Sequence, residues 1–177
     1  MDEGTPTGKG SRDSRDLLAE AYDLYGKALY GYALMILANP PAAEDAVQQA
    51  FVRFAAMGDR TRDVKQWKSY LRKVVRNECY RMLRLRRLDS LDRQVGTLLE
   101  PASDEAIAPE ERDAVERAVR ALAAEQREVV HMRIYENMTF QQIADELDVS
   151  INTVASRYRY AMDRLRQLLA SLKEDQR

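Results

Sequence analysis

Apolar residues recur three and four positions apart between Leu17 and Leu37, at Leu17, Ala21, Leu24 or Tyr25, Ala28 or Leu29, Tyr32 and Ile36. That spacing gives a helix one buried face. Asn39-Pro40-Pro41 must end it, because proline lacks the amide donor and pushes the residue before it out of helical geometry. A second helix is expected over about residues 42–57, burying Ala43, Val47, Ala50 and Phe54 and turning Asp45, Gln48, Gln49 and Val52 outward. A third, over about residues 64–88, lines up Trp67, Leu71, Val74, Val75, Met82 and Leu83 in one stripe. Away from that stripe its surface collects Lys73, Arg76, Asn77, Tyr80, Arg84 and Arg87 on one face.

Residues 89–109 carry no sustained period, contain Gly96, Pro101 and Pro109, and read as a linker between domains. Helical periodicity resumes over residues 110–124, through Ala114, Val115, Ala118, Val119 and Leu122, and again over residues 125–136. Thr139-Phe140-Gln141-Gln142 has the form of a capping box, in which a threonine oxygen and a glutamine side chain satisfy free amides at a helix start. That helix ends at Leu147-Asp148, and Ser150 caps the next, so two short helices meet at a tight turn, a helix-turn-helix. Winding residues 151–169 gathers Val154, Tyr158, Met162, Leu165 and Leu169 on one side, with Asn152, Thr153, Ser156, Arg157, Tyr160 and Arg164 on the other. No segment has strand period. The expected fold is all-α, with two small helical domains (residues 13–88 and 110–173) joined by an acidic linker (89–109) and preceded by a disordered polar tail (1–12).

Charge sharpens this division. The chain balances 28 Lys and Arg against 29 Asp and Glu, so its net charge of -1 conceals any nucleic-acid signal. Residues 68–87 hold eight basic residues and one acid, Glu78, whereas residues 89–113 hold eight acids and only two basic residues, Arg93 and Arg112. A basic helix is therefore followed by an acidic connector, which suits either a plain tether or a segment following a positively charged channel.

The basic face of the third helix fits phosphate neutralisation, with Asn77 and Tyr80 placed to bond to and stack on an extruded base. Solvation alone is the bland alternative. Trp67 lies on the apolar stripe and is expected to serve the core. The polar side of the last helix carries hydrogen-bonding and cationic types that reach base edges and phosphates from a major groove. Val52, an apolar residue among Asp45, Gln48 and Gln49, is a candidate centre for a protein contact.

One cysteine, Cys79, rules out an internal disulfide, and one histidine, His131, leaves no His-based metal cluster. No nucleophile, base and orienter can be assembled and no phosphate-cradling glycine loop is present, so an enzyme is the least favoured class and no cofactor is expected. The polar N-terminus and the lack of any long apolar run lead us to expect a cytoplasmic protein without membrane insertion. A DNA-binding regulator acting by itself is one reading of these features, and a purely protein-binding helical adaptor is disfavoured by the basic clustering around Asn77.

Residues 110–172, with LAAEQREVVHMRIYENMTFQQIADELDVSINTVASRYRYAMDRLRQLL, resemble the C-terminal domain of extracytoplasmic-function sigma factors. Residues 24–88, through AEDAVQQAFVRF and QWKSYLRKVVRN, resemble their N-terminal domain, in the same order. The resemblance implies a protein that binds core RNA polymerase and promoter DNA and directs initiation. It implies that the Asn77 face reads the minus-ten element, that the helix-turn-helix reads the minus-thirty-five element, and that Asp45 and Gln48 match positions gripping a coiled coil of the largest polymerase subunit. Many relatives are held by an anti-sigma protein, so such a regulator is an expected partner. Asn137 and Asp148 stand where the family often has glycine, Ala155 where lysine is frequent, Arg81 where aspartate is frequent, and Glu78 where leucine is common. Pairing with a nearby arginine is the expected fate of Glu78.

Overall fold

In a computed structural model of the chain, residues 14–89 and 109–174 are described, and every regular element among them is helical. The expectations for the N-terminal tail and for nearly all of the linker fall outside these residues. The chain divides into two compact units on either side of residue 99.

The first unit is a three-helix bundle of α1 (Ser14–Leu37), α2 (Pro40–Ala56) and α3 (Trp67–Asp89), each packed on the other two. Helix α1 ends because Ala38 takes a left-handed backbone, φ 49°, while its amide still reaches the Leu34 carbonyl at 2.8 Å. Asn39 then starts α2: its side-chain oxygen accepts the Ala42 amide at 2.9 Å, and two prolines occupy the first turn, where no amide donor is needed. The core joins Leu29, Tyr32 and Ile36 of α1 to Ala43, Val47, Ala50 and Phe54 of α2 and Leu71 and Val75 of α3. Leu24 is exposed, which decides for the alternative at that turn of α1. Phe54 meets Trp67 edge-on at 5.6 Å, so Trp67 is a core residue, as its place on the apolar stripe implied.

Helix α3 starts three residues later than the periodicity suggested. A short 3-10 turn, Gly58–Asp63, leaves Val64 extended, and the buried Thr61 hydroxyl donates to the Gly58 carbonyl at 2.8 Å. That side chain satisfies a carbonyl at the turn and holds the chain out of α-helical geometry before Trp67.

The second unit contains α4 (Pro109–Arg120), α5 (Ala124–Ile134), α6 (Phe140–Leu147) and α7 (Ile151–Glu174), and α4, α5 and α6 all pack on α7. Its core includes Leu122, Val130 and Ala161, flanked by Tyr158 and Leu165, together with the fully buried Val129, Met132, Ile143 and Val154. The break between α4 and α5 comes earlier than expected because Ala123 is extended and the buried Arg127 guanidinium donates to the carbonyls of Arg120 and Leu122. The arginine thus takes over the open carbonyl end of α4. Val115, assigned to the buried stripe of α4 by periodicity, is exposed.

Candidate nucleic-acid and polymerase interfaces

On α2 the outward face is as its pattern implied. Asp45, Gln48, Gln49 and Val52 are all exposed, and Val52, 59% exposed, sits opposite the buried Ala43, Ala50 and Phe54. Gln48 has a second setting that the sequence of α2 alone did not show. It borders a groove of about 520 Å³ between α1 and α2, lined also by Tyr22, Asp23, Lys27, Tyr30 and Glu44. Tyr22 packs edge-on against Phe51 at 5.1 Å yet remains more than half exposed. The two aromatic residues on the outer side of α1 were the signal for this groove, but periodicity assigned that helix only a buried face.

Helix α3 turns Lys73, Asn77 and Arg84 to solvent on the side away from Leu71 and Val75. Arg76 and Tyr80 are half-buried, and the Arg76 guanidinium lies over the Tyr80 ring at 4.9 Å. This contact holds the ring beside Asn77 on a cationic surface. Arg87 belongs to α3, but its side chain is outside the described set. Five of the six residues assigned to this face are therefore described, and they share one side of one helix.

Glu78 lies among the buried residues of the same helix, 1% exposed. Its Oε2 accepts from Nη2 of Arg53 on α2 at 2.8 Å, and its Oε1 accepts from Nε of Arg81 at 2.9 Å and also from Nη2 of Arg81. A buried carboxylate without partners would be costly, and these charge-assisted bonds satisfy both of its oxygens. Hydrogen bonding to Glu78, followed by attraction to its charge, raises the Arg81 pKa above its ordinary value. Arg81 was the arginine within reach from sequence; Arg53, 25 residues away, comes into range only through the packing of α2 on α3. A further buried arginine, Arg72, lies 5.9 Å from the centre of the Tyr32 ring.

The helix-turn-helix forms through local bonds. The Thr139 amide donates to Oε1 of Gln142 at 2.8 Å, and the Gln142 amide donates to Oγ1 of Thr139 at 3.2 Å, which completes the capping box. Asp148 adopts the left-handed backbone at the end of α6, φ 54°, and Asn137 does so before α6, φ 53°. Ser150 caps α7 by accepting the Thr153 amide at 3.1 Å, and the Ser150 and Thr153 hydroxyls bond each other. Arg133 donates to the Met138 carbonyl at 2.9 Å and lies over the Phe140 ring, tying the approach to α6 to its first residue.

The exposed face of α7 is rotated from the expected one. Ala161 is fully buried, while Met162 and Leu169 are only half-buried, because the small alanine is the residue that meets Leu122 and Val130. Asn152, Tyr160 and Arg164 are exposed, and Thr153 and Ser156 are partly so. Arg157 corrects the sequence-based placement: it is half-buried, and its Nη1 is buried with no hydrogen-bond partner. Arg159, which the winding left out, is exposed and places its guanidinium 5.3 Å from the centre of the Tyr160 ring.

No group of side chains among the described residues could hold a metal ion, and no described helix is long and apolar enough to cross a membrane. What defines the molecule is a three-helix unit whose α3 carries a cationic face around the stacked Arg76 and Tyr80, and a second unit ending in a helix-turn-helix, the layout of a two-domain DNA-directed transcription protein.

Residues 21–88 match the family model described as Sigma-70 region 2, and residues 118–167 match Sigma-70, region 4. The ECF RNA polymerase sigma factor SigL of Mycobacterium tuberculosis is 32% identical over 163 residues, spanning 88% of this chain and 90% of that protein. RNA polymerase sigma-E factor of Streptomyces coelicolor is 30% identical over 151 residues, 85% of this chain and 84% of its own length. Among solved structures, the Bartonella quintana sigma factor RpoE, crystallised with the anti-sigma factor NepR, aligns with a TM-score of 0.71 at 24% identity. That alignment covers 88% of this chain and 98% of RpoE, and shows the shared fold. The chain belongs to the sigma-70 family, among its extracytoplasmic-function members.

Proposed function

We propose that this sigma factor binds core RNA polymerase through the outer face of α2, reads and melts the minus-ten element with α3, and reads the minus-thirty-five element with α7. The observation that carries the reading is the side of α3 on which Lys73, Asn77 and Arg84 are exposed around the stacked Arg76 and Tyr80 pair. Cations border a hydrogen-bonding and stacking centre there. Stacking on an extruded base contributes roughly 1–3 kcal/mol, enough to offset much of the cost of unstacking it.

Asp45, Gln48, Gln49 and Val52 form the polymerase contact in this reading. On α7, Asn152, Ser156, Tyr160 and Arg164 form the DNA face, with Thr153 at its start. Arg157 would join it only by leaving its partly buried position. The protein acts as a regulator of initiation and not as a catalyst; core polymerase, promoter DNA and an anti-sigma protein are its partners, and the cytoplasm is its place of action.

The test compares Asn77→Ala and Tyr80→Ala holoenzymes by permanganate reactivity of unpaired promoter thymines. Reactivity should fall on duplex promoter and recover on a template already mismatched across the melting region, with closed-complex binding and its steep salt dependence retained. Equal loss on both templates would assign these residues to folding or general binding.

A further inference from the structure

We infer that Arg81 is an additional promoter-phosphate contact, oriented by the buried Glu78 carboxylate and left with its full positive charge by Arg53. This inference rests on the proposed melting role of α3 and extends it beyond the six residues assigned there.

Arg81 lies one helical turn beyond Asn77, at the edge of the same face, and its side chain is 48% exposed. Two of its nitrogens, Nε and Nη2, are taken by one oxygen of Glu78, which fixes the plane of the guanidinium and leaves the Nη1 edge directed away from that carboxylate. Guanidinium edges held in a plane suit phosphate oxygens, and orientation before binding lowers the ordering cost on contact.

Charge decides whether such a group attracts phosphate. Glu78 alone would cancel Arg81. Arg53 reaches the other carboxylate oxygen at 2.8 Å from α2, so two guanidinium groups face one carboxylate and the cluster keeps one net positive charge. Arg53 is thus a positioning and charge-balancing residue that acts through Glu78. The occupant we assign is a backbone phosphate of the promoter strand, because Arg81 adjoins Asn77 and continues the cationic border of Lys73 and Arg84.

The experiment uses holoenzyme assembled from core polymerase and full-length protein, on a promoter fragment mismatched across the melting region, with Kd measured over a series of salt concentrations. Each phosphate contact adds about 0.7–0.9 to the slope of log Kd against log salt. Arg81→Ala should lower the slope by about that amount and weaken binding several-fold at moderate salt. Arg81→Lys should keep the slope and lose part of the affinity, since the charge stays while the planar grip on Glu78 goes. Arg53→Ala should also lower the slope, an effect that a merely structural role would not produce.

Asn77→Ala is measured in parallel by permanganate reactivity on the duplex promoter. If it loses reactivity there while Arg81→Ala keeps the wild-type slope on the mismatched fragment, the Arg81 inference is overturned and the α3 reading stands. If Asn77→Ala keeps wild-type reactivity on the duplex promoter, the α3 reading itself fails and the Arg81 inference with it. Weaker association of Arg81→Ala with core polymerase, with the slope intact, would place a protein group at this position and overturn the inference.

Discussion

The two units present DNA-directed helices by different means. In the first, α3 is supported along its buried side by Leu71, Val75 and Cys79, by Trp67 against Phe54, and by an ion cluster that reaches across to α2. In the second, α7 rests on a core that includes Leu122, Val129, Val130, Met132, Ile143, Val154 and Ala161, and the turn before it is shaped by Thr139, Gln142, Asp148 and Ser150 through bonds spanning a few residues. Both surfaces rest on apolar packing; the first is tied to its neighbour by an ion cluster as well, and the second depends also on how each helix starts and stops. In the proposed reading, cooperative packing suits a face that must keep its geometry while a duplex is opened against it, and local capping suits a reading head whose register on DNA depends on where one helix begins.

The largest effect should come from the packed unit. Leu71→Ala removes a fully buried side chain at the meeting of three helices and should cost about 2–5 kcal/mol. Thermal unfolding of the full chain followed by fluorescence of Trp67, which lies in that unit, should show a large downward shift. Retention of the wild-type midpoint would mean that the bundle is not the cooperative element proposed here.

Loss of a cap comes next. Thr139→Ala removes the oxygen that accepts the Gln142 amide and should destabilise the helix-turn-helix by about 1 kcal/mol. Amide hydrogen exchange should speed up in α6 and α7 with little change in α1 to α3; equal acceleration in both units would break the contrast between them.

Ala38→Gly should raise stability, because alanine at φ 49° bears a left-handed penalty that glycine avoids. A gain of about 0.5–1 kcal/mol is expected, read as a higher urea midpoint with an unchanged slope. A lower midpoint would show that the flexibility of glycine in the unfolded chain outweighs the relief of strain.

The smallest stability change belongs to the exposed face of α2. Asp45→Arg should alter folding by only about ±0.5 kcal/mol, since the side chain is outside the core. It should nonetheless weaken association with core polymerase in a pull-down. Wild-type recovery of core enzyme would remove Asp45 from the proposed contact.

How far the site was legible follows from the range of the forces involved. The Asn77 face of α3 and the Val52 face of α2 could be read because each is the complement of an apolar stripe on a single helix. The caps at Thr139 and Ser150 and the left-handed positions Asn137 and Asp148 could be read because they depend on residues within a turn of each other. Arg157 was misplaced because its exposure depends on which residue of α7 meets the core, and that choice fell to Ala161, whose small side chain permits close approach. Periodicity weights a large Met162 above a small Ala161, although packing favours the reverse here.

The sequence by itself determined the helices, the two-part division, the helix-turn-helix and its caps, and the outward faces of α2 and α3, because hydrophobic period, proline and capping act over short spans of chain. Tertiary structure alone decided that Arg53 meets Glu78, that Tyr22, Lys27 and Tyr30 share a groove with Gln48, and that the face of α7 is turned toward Arg159 and away from Arg157. The physical reason is that these outcomes depend on contacts between helices, set by the volumes and charges brought opposite one another when the bundle closes.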